Sequence, residues 1–251
     1  MILLIPHFRK NSHKVPILSG REINDIADRF VEDYSPDLLQ HPHAFNIEGF
    51  LEGYLGLQLD FQYLSHDCRY LGMTVFNDTD RVIIYSPEAD EADYIHADHG
   101  TVIIDPTLLE SNQEHRYRFT MGHEAGHWVF HQAYYGYDPN QITLFELYEP
   151  YIQCRETNAN YLNINTKGWD SHRWIEWQAD KFSAAILMSR TAVKNLLGNS
   201  VFTSSIDAFP AIRMVGQTFN VSEQAAYFRL CDLQIITKPA SDAEYKQLSF
   251  L

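Results

Sequence analysis

Two histidines four residues apart, in His123-Glu124-Ala125-Gly126-His127, constrain this chain more than any other feature. The residues around them predict a helix from about Asn112 to Tyr135. Ser111 and Glu114 have the spacing of a capping box, and Gly136 supplies a stop. On a helix, positions i and i+4 project from one face about one turn apart. That separation lets two imidazoles share one Zn2+ at about 2.0–2.1 Å each. Glu124 then points beside the metal rather than at it, where it can take a proton from water. Ala125 and Gly126 are small, so another segment or a substrate can come close. The competing interpretation is two satisfied core histidines and a surface Glu. The capped helix and the strand-rich stretch before it favour the metal site.

A catalytic zinc site needs a third protein ligand and an open position. His131 continues the row to i+8, two turns from His123 and too far to share its metal, so it reads as a buried or capping histidine. The extended HExxHxxGxxH pattern fails, because Phe130 stands where Gly is needed and Ala133 where the third His is needed. The better candidate is Glu176-Trp177-Gln178-Ala179-Asp180, an ExxxD pattern on a helix capped by Asp170 or Ser171 and running to about Met188. Trp174, Trp177, Phe182, Ala185 and Ile186 are expected on its buried side. One carboxylate of the pair can bind metal while the other accepts the free N–H of a ligating histidine.

The rest of the chain reads as α+β. Residues 1–18 look like a loose arm. Ser19 and Glu22 form a capping box for a helix through Tyr34, with Ile23, Ile26, Ala27, Phe30 and Val31 as its apolar stripe. Asn46 is expected to cap a helix through Leu55. The period then shortens to two: Leu57, Leu59, Phe61 and Tyr63 alternate with polar neighbours as in a half-buried strand. Leu71–Phe76 and Arg81–Tyr85, joined by Asn77-Asp78-Thr79-Asp80, are expected to pair as a hairpin. Thr101–Ile104 is a fourth strand. The stretch PEADEADYIHADHG before it, with five acids and two histidines, reads as a solvated loop. Residues 137–169 lack a clear period and suggest a flap or insertion. The expected organisation is one domain over 1–190, with the insertion 137–169, and a helical subdomain over 191–251.

Composition limits the functions open to the chain. It has 251 residues and a net charge of −14, which argues against a duplex-binding surface or a polybasic membrane anchor. Cys68, Cys154 and Cys231 form no CxxC pair, as expected in a reducing compartment. The opening MILLIPHFRK has too short an apolar run for a signal peptide, and no stretch approaches the about 18–20 apolar residues of a membrane span. A cytoplasmic protein is expected.

RFTMGHEAGHWVFH followed by EWQADKFSAAILMS resembles the ImmA/IrrE family of metallo-endopeptidases. The likeness is specific over 117–131 and 176–189 and looser over 20–110. It implies a zincin-like fold: a small, mostly antiparallel sheet packed on an active-site helix, with a helical C-terminal part. It implies a gluzincin-like site, with His123, His127 and Glu176 as zinc ligands, Glu124 as general base and Asp180 orienting His123. Ser189 departs from the family's usual Pro. The implied function is a zinc-dependent endopeptidase acting on an intracellular protein, such as a helix-turn-helix repressor of a mobile element or stress regulon. A basic repressor would be drawn to an acidic surface. The substrate is expected to add to an exposed strand edge beside the active helix. Tyr134, Tyr135, Tyr137 and His172 are candidate oxyanion donors.

The alternative is a DNA-binding or protein-binding regulator that keeps a zinc site without proteolysis. Residues 208–233 have helix-turn-helix spacing. Yet 205–233 holds only Arg213 and Arg229 against Asp207, Glu223 and Asp232, a poor reader of DNA.

Overall fold

The computed structural model describes residues 8–136, 151–155 and 168–237. In chain order these form α1 (Gly20–Tyr34), α2 (Pro36–Gln40), α3 (Ile47–Gly49, continued by a π turn over Phe50–Tyr54), β1 (Gln58–Phe61), β2 (Tyr70–Val75), β3 (Thr79–Ser86), β4 (Glu91–Ala97), β5 (Thr101–Ile104), α4 (Glu114–Tyr135), β6 (Tyr151–Arg155), α5 (Ser171–Leu187), α6 (Arg190–Leu197), α7 (Phe209–Phe219) and α8 (Glu223–Asp232). The fold is mixed α+β with small sheets. No described helix is long and apolar enough to cross a membrane.

Two compact units divide the chain, and they do not follow chain order. The first comprises 1–22, 46–157 and 169–183; the second comprises 23–45, 158–168 and 184–251.

In the first unit a four-stranded sheet has the order β1-β5-β2-β6. β1 runs parallel to β5, while β2 runs antiparallel to both β5 and β6. Successive strand residues face opposite sides of a sheet. On β2, Met73 and Val75 therefore turn one way, into a cluster with Leu64, Val82, Ala97 and Ile103. Thr74 turns the other way, onto α4. β3 and β4 form a separate two-stranded sheet.

Several expectations change here. β2 and β3 do not make the expected hairpin. β3 pairs instead with β4, which lies inside the acidic stretch read as a loop. β4 is mostly solvent-exposed, so polar residues occupy both of its faces and no alternation marks it. Burial fades along β1, with Leu57 buried but Phe61 and Tyr63 exposed. α4 begins at Glu114 after Gln113, with no side-chain cap; the expected Ser111–Glu114 box does not form, and Asn112 takes a left-handed φ of 73°. The arm is not loose where it is described: Val15 is 1% exposed.

Other local signals agree with the reading. Ser19 accepts from the Glu22 N–H at 3.2 Å, while Glu22 accepts from the Ser19 N–H at 2.8 Å. The α1 stripe is buried as expected. Asn46 accepts from the Gly49 N–H, and Asp170 accepts from the Arg173 N–H.

The second unit is helical in its described residues. Arg190 binds Asp25 and Asp28 at 2.8 and 2.9 Å. Ser189 accepts from the Ala192 N–H to cap α6 and donates to Asp28.

Candidate metal centre

The centre lies between α4 and residues 171–183 of α5. Gly126 lets the two helices meet: a Cβ there would stand 2.9 Å from Ala179 Cα. The small residues of the HEAGH stretch thus admit α5. The buried side of α5 is Ile175, Ala179, Phe182, Ala185 and Ile186. Trp174 and Trp177 are only half-buried, and with Trp169 they pack ring against ring.

Across this seam the predicted site residues converge. His123 Nε2 and His127 Nε2 face each other at 2.8 Å. Glu176 approaches both, with Oε2 3.6 Å from His123 Nε2 and Oε1 3.6 Å from His127 Nε2. One donor atom from each of the three lies within 4.8 Å of the others. Two nitrogens on one tetrahedral ion at about 2.0–2.1 Å stand about 3.3 Å apart, so the two rings, at 2.8 Å, would part by about 0.5 Å to share one. Two neutral-capable imidazoles and a carboxylate are also a donor set that divalent metals take. The buried His-His-Glu group can hold a metal ion.

Asp180 accepts from His123 Nδ1 at 2.7 Å, and both side chains are almost fully buried. Burial alone would lower the His123 pKa. The charge and hydrogen bond of Asp180, joined by Glu176, outweigh it and hold that pKa well above its ordinary value. His127 goes the other way: burial, reinforced by the neighbouring histidines, pushes its pKa well below the ordinary value. A ligand atom must be free of its proton, so His127 is the readier donor, and His123 has to lose a proton before its Nε2 can bind a metal.

Glu124 is fully buried and turns toward β2, where Thr74 Oγ1 donates to its Oε2 at 2.6 Å. Gly72 makes room there, since a Cβ at that position would collide with the Glu124 carboxylate. Sequence reasoning missed Thr74; its one signal was a polar residue in an otherwise apolar strand.

His131 was expected to have no part in the metal group. It is fully buried, with Nδ1 3.0 Å from His127 Nδ1 and Nε2 3.0 Å from Gln178 Oε1. Its pKa is pushed down to about 3, chiefly by burial. Of the candidate oxyanion donors, His172 is exposed and lies 4.0 Å from Glu176 Oε1. Tyr135 stacks on Phe76, and Tyr134 packs edge-on against Tyr135. Tyr137 lies outside the described residues, as does most of the insertion 137–169. In the four-stranded sheet β2, which packs on α4 through Thr74, is paired on both sides by β5 and β6, and the edge strands are β1 and β6.

The helix-turn-helix candidate forms α7 and α8, joined through Asn220 in the left-handed region. Its one cation on α8, Arg229, is 2% exposed; Nε donates to the Met188 carbonyl and Nη1 pairs with Asp232. The exposed residues of α8 are Glu223, Gln224 and Asp232, which offer nothing positive to a phosphate.

No family profile matches the chain, and no curated protein matches it.

Proposed function

We propose that this chain is a zinc-dependent endopeptidase of zincin-like fold and ImmA/IrrE type, acting in the cytoplasm on a protein substrate such as a helix-turn-helix repressor. The observation that carries the reading is the pairing on α4 of two converging Nε2 atoms with a buried Glu124 beside them, completed by Glu176 from α5. His123, His127 and Glu176 would hold the zinc, which supplies polarisation of the scissile carbonyl and a lowered pKa for water.

The chain's own groups do the rest. Asp180 fixes the His123 ring through Nδ1, the usual support for a ligating imidazole. Glu124 is the general base: it takes the proton from the attacking water and returns it to the leaving amine. Thr74 holds the Glu124 carboxylate in place for both transfers. His172, 4.0 Å from Glu176 Oε1, would donate to the developing oxyanion.

The test is co-incubation with a helix-turn-helix repressor, comparing wild type with Glu124→Gln. Wild type is expected to cut the repressor. Glu124→Gln is expected to retain zinc and lose about 10²–10⁴-fold in rate. Undiminished cleavage by the variant would remove Glu124 from this role.

A further inference from the structure

We infer that Pro16, Gln178 and His131 form a hydrogen-bond relay that fixes His127 as its Nδ1–H tautomer, so that its Nε2 lone pair always faces the metal position. The inference rests on the zinc reading above. The Pro16 carbonyl can only accept, and Gln178 Nε2 donates to it at 2.7 Å. Turned over, the amide would set one oxygen against another at that distance. Gln178 Oε1 therefore faces His131 Nε2, at 3.0 Å. That oxygen too can only accept, so the His131 proton sits on Nε2.

A neutral imidazole carries one N–H. His131 Nδ1 is thus a lone pair, and it faces His127 Nδ1 at 3.0 Å. His127 Nδ1 must donate. The remaining nitrogen of His127, Nε2, is left as a lone pair beside His123 and Glu176. Each link has its polarity set by the one before, starting from a backbone oxygen in residues 8–18.

The two histidines are then oriented by opposite means. His123 leans on a carboxylate, Asp180; His127 leans on a neutral chain. Glu124, Glu176 and Asp180 already place three carboxylates around one site. A neutral relay fixes the second ring without burying a fourth, which would cost desolvation with no cation left to balance it. His131 never reaches the metal position, so it is a positioning residue, and Gln178 and Pro16 position it in turn.

The test is two-bond 1H–15N spectroscopy of the full chain carrying ring-15N histidine, first metal-free and then with zinc added. In the metal-free protein His131 is expected as the Nε2–H tautomer and His127 as the Nδ1–H tautomer. Zinc should then shift the His127 Nε2 resonance most among these four nitrogens. An Nδ1–H His131, or a mixture of tautomers, overturns the relay. Because the metal-free spectrum decides this, a protein that binds no zinc would sink the zinc reading and leave the relay judged separately.

Zinc affinity of variants supplies the second arm. His131→Phe is expected to weaken binding about 10–100-fold. His131→Asn should recover most of that loss, because its Oδ1 can accept from His127 Nδ1. Equal losses for Phe and Asn, or no loss for either, contradict the relay.

Discussion

Among the described residues of the first unit, two clusters of histidine and acid stand in contrast, and one of them is built like a site. Around His123, the rings and carboxylates are buried, and two Nε2 atoms converge with Glu176. Around His96, on β4, the same residue types lie in the open. Nδ1 meets Asp80 at 2.6 Å and Nε2 meets Asp98 at 3.0 Å, with the histidine side chain 57% exposed. Both of its ring nitrogens are spent on neighbours, so none is left to turn toward an ion. Residue types alone do not separate the two clusters. Helical spacing and the close approach of α5 do, because they aim several donors at one point and exclude water from it.

The largest effect that breaks this contrast is expected from Glu176→Ala. Loss of a direct ligand should weaken zinc binding by more than the about 10–100-fold typical of an outer partner, measured by competition with a chelator. Unchanged affinity would move the third ligand elsewhere. Next comes Asp180→Ala, which removes the support of one ring and should cost about 10–100-fold in the same assay. A loss equal to that of Glu176→Ala would mean that Asp180 is itself a ligand.

A smaller effect follows from acid. The folded His131 is neutral, with its pKa pushed down to about 3, first by burial. The unfolded chain takes up that proton near the ordinary value of about 6.5. Stability of the metal-free protein is therefore full above about 6.5 and falls as pH drops toward 3, by about 1.4 kcal/mol per pH unit for this one proton. His131→Phe should flatten the slope by about one proton in denaturant titrations run across that window; an unchanged slope would place the acid sensitivity elsewhere.

His96 shifts the opposite way. Its pKa is raised, first by the Asp98 hydrogen bond and then by that of Asp80. Its contribution is present at low pH and lost as pH rises through the raised value. The site lies in solvent, apart from the buried cluster, so His96→Ala should leave zinc affinity alone and loosen only the β3–β4 hairpin, seen as faster amide exchange there below the ordinary histidine pKa. A fall in zinc affinity would show that the exposed cluster is not inert.

The comparison also explains what could be read from the chain beforehand. HEAGH and ExxxD are legible because helical spacing is rigid: four residues always return a side chain to the same face. Ser19, Asn46 and Asp170 were legible as caps because capping is local. β4 was not, because an exposed two-stranded sheet places no demand on alternation. The α4 cap failed because Asn112 turns left-handed ahead of the helix, which local spacing does not reveal. Spacing places His131 too far from His123 to share its ion, and its i+4 relation to His127 shows that the two rings can meet, but spacing alone does not say which ring holds the other. Gln178 and Pro16 meet across 162 positions of chain, a contact no short-range pattern carries.

The central claim is that the buried cluster, and not the exposed one, holds the metal. Calorimetric titration of the metal-free protein with zinc tests it directly, with His127→Ala and His96→Ala alongside. The account predicts about one zinc per chain for wild type and for His96→Ala, and loss of that binding in His127→Ala. Binding that survives in His127→Ala and disappears in His96→Ala would contradict it.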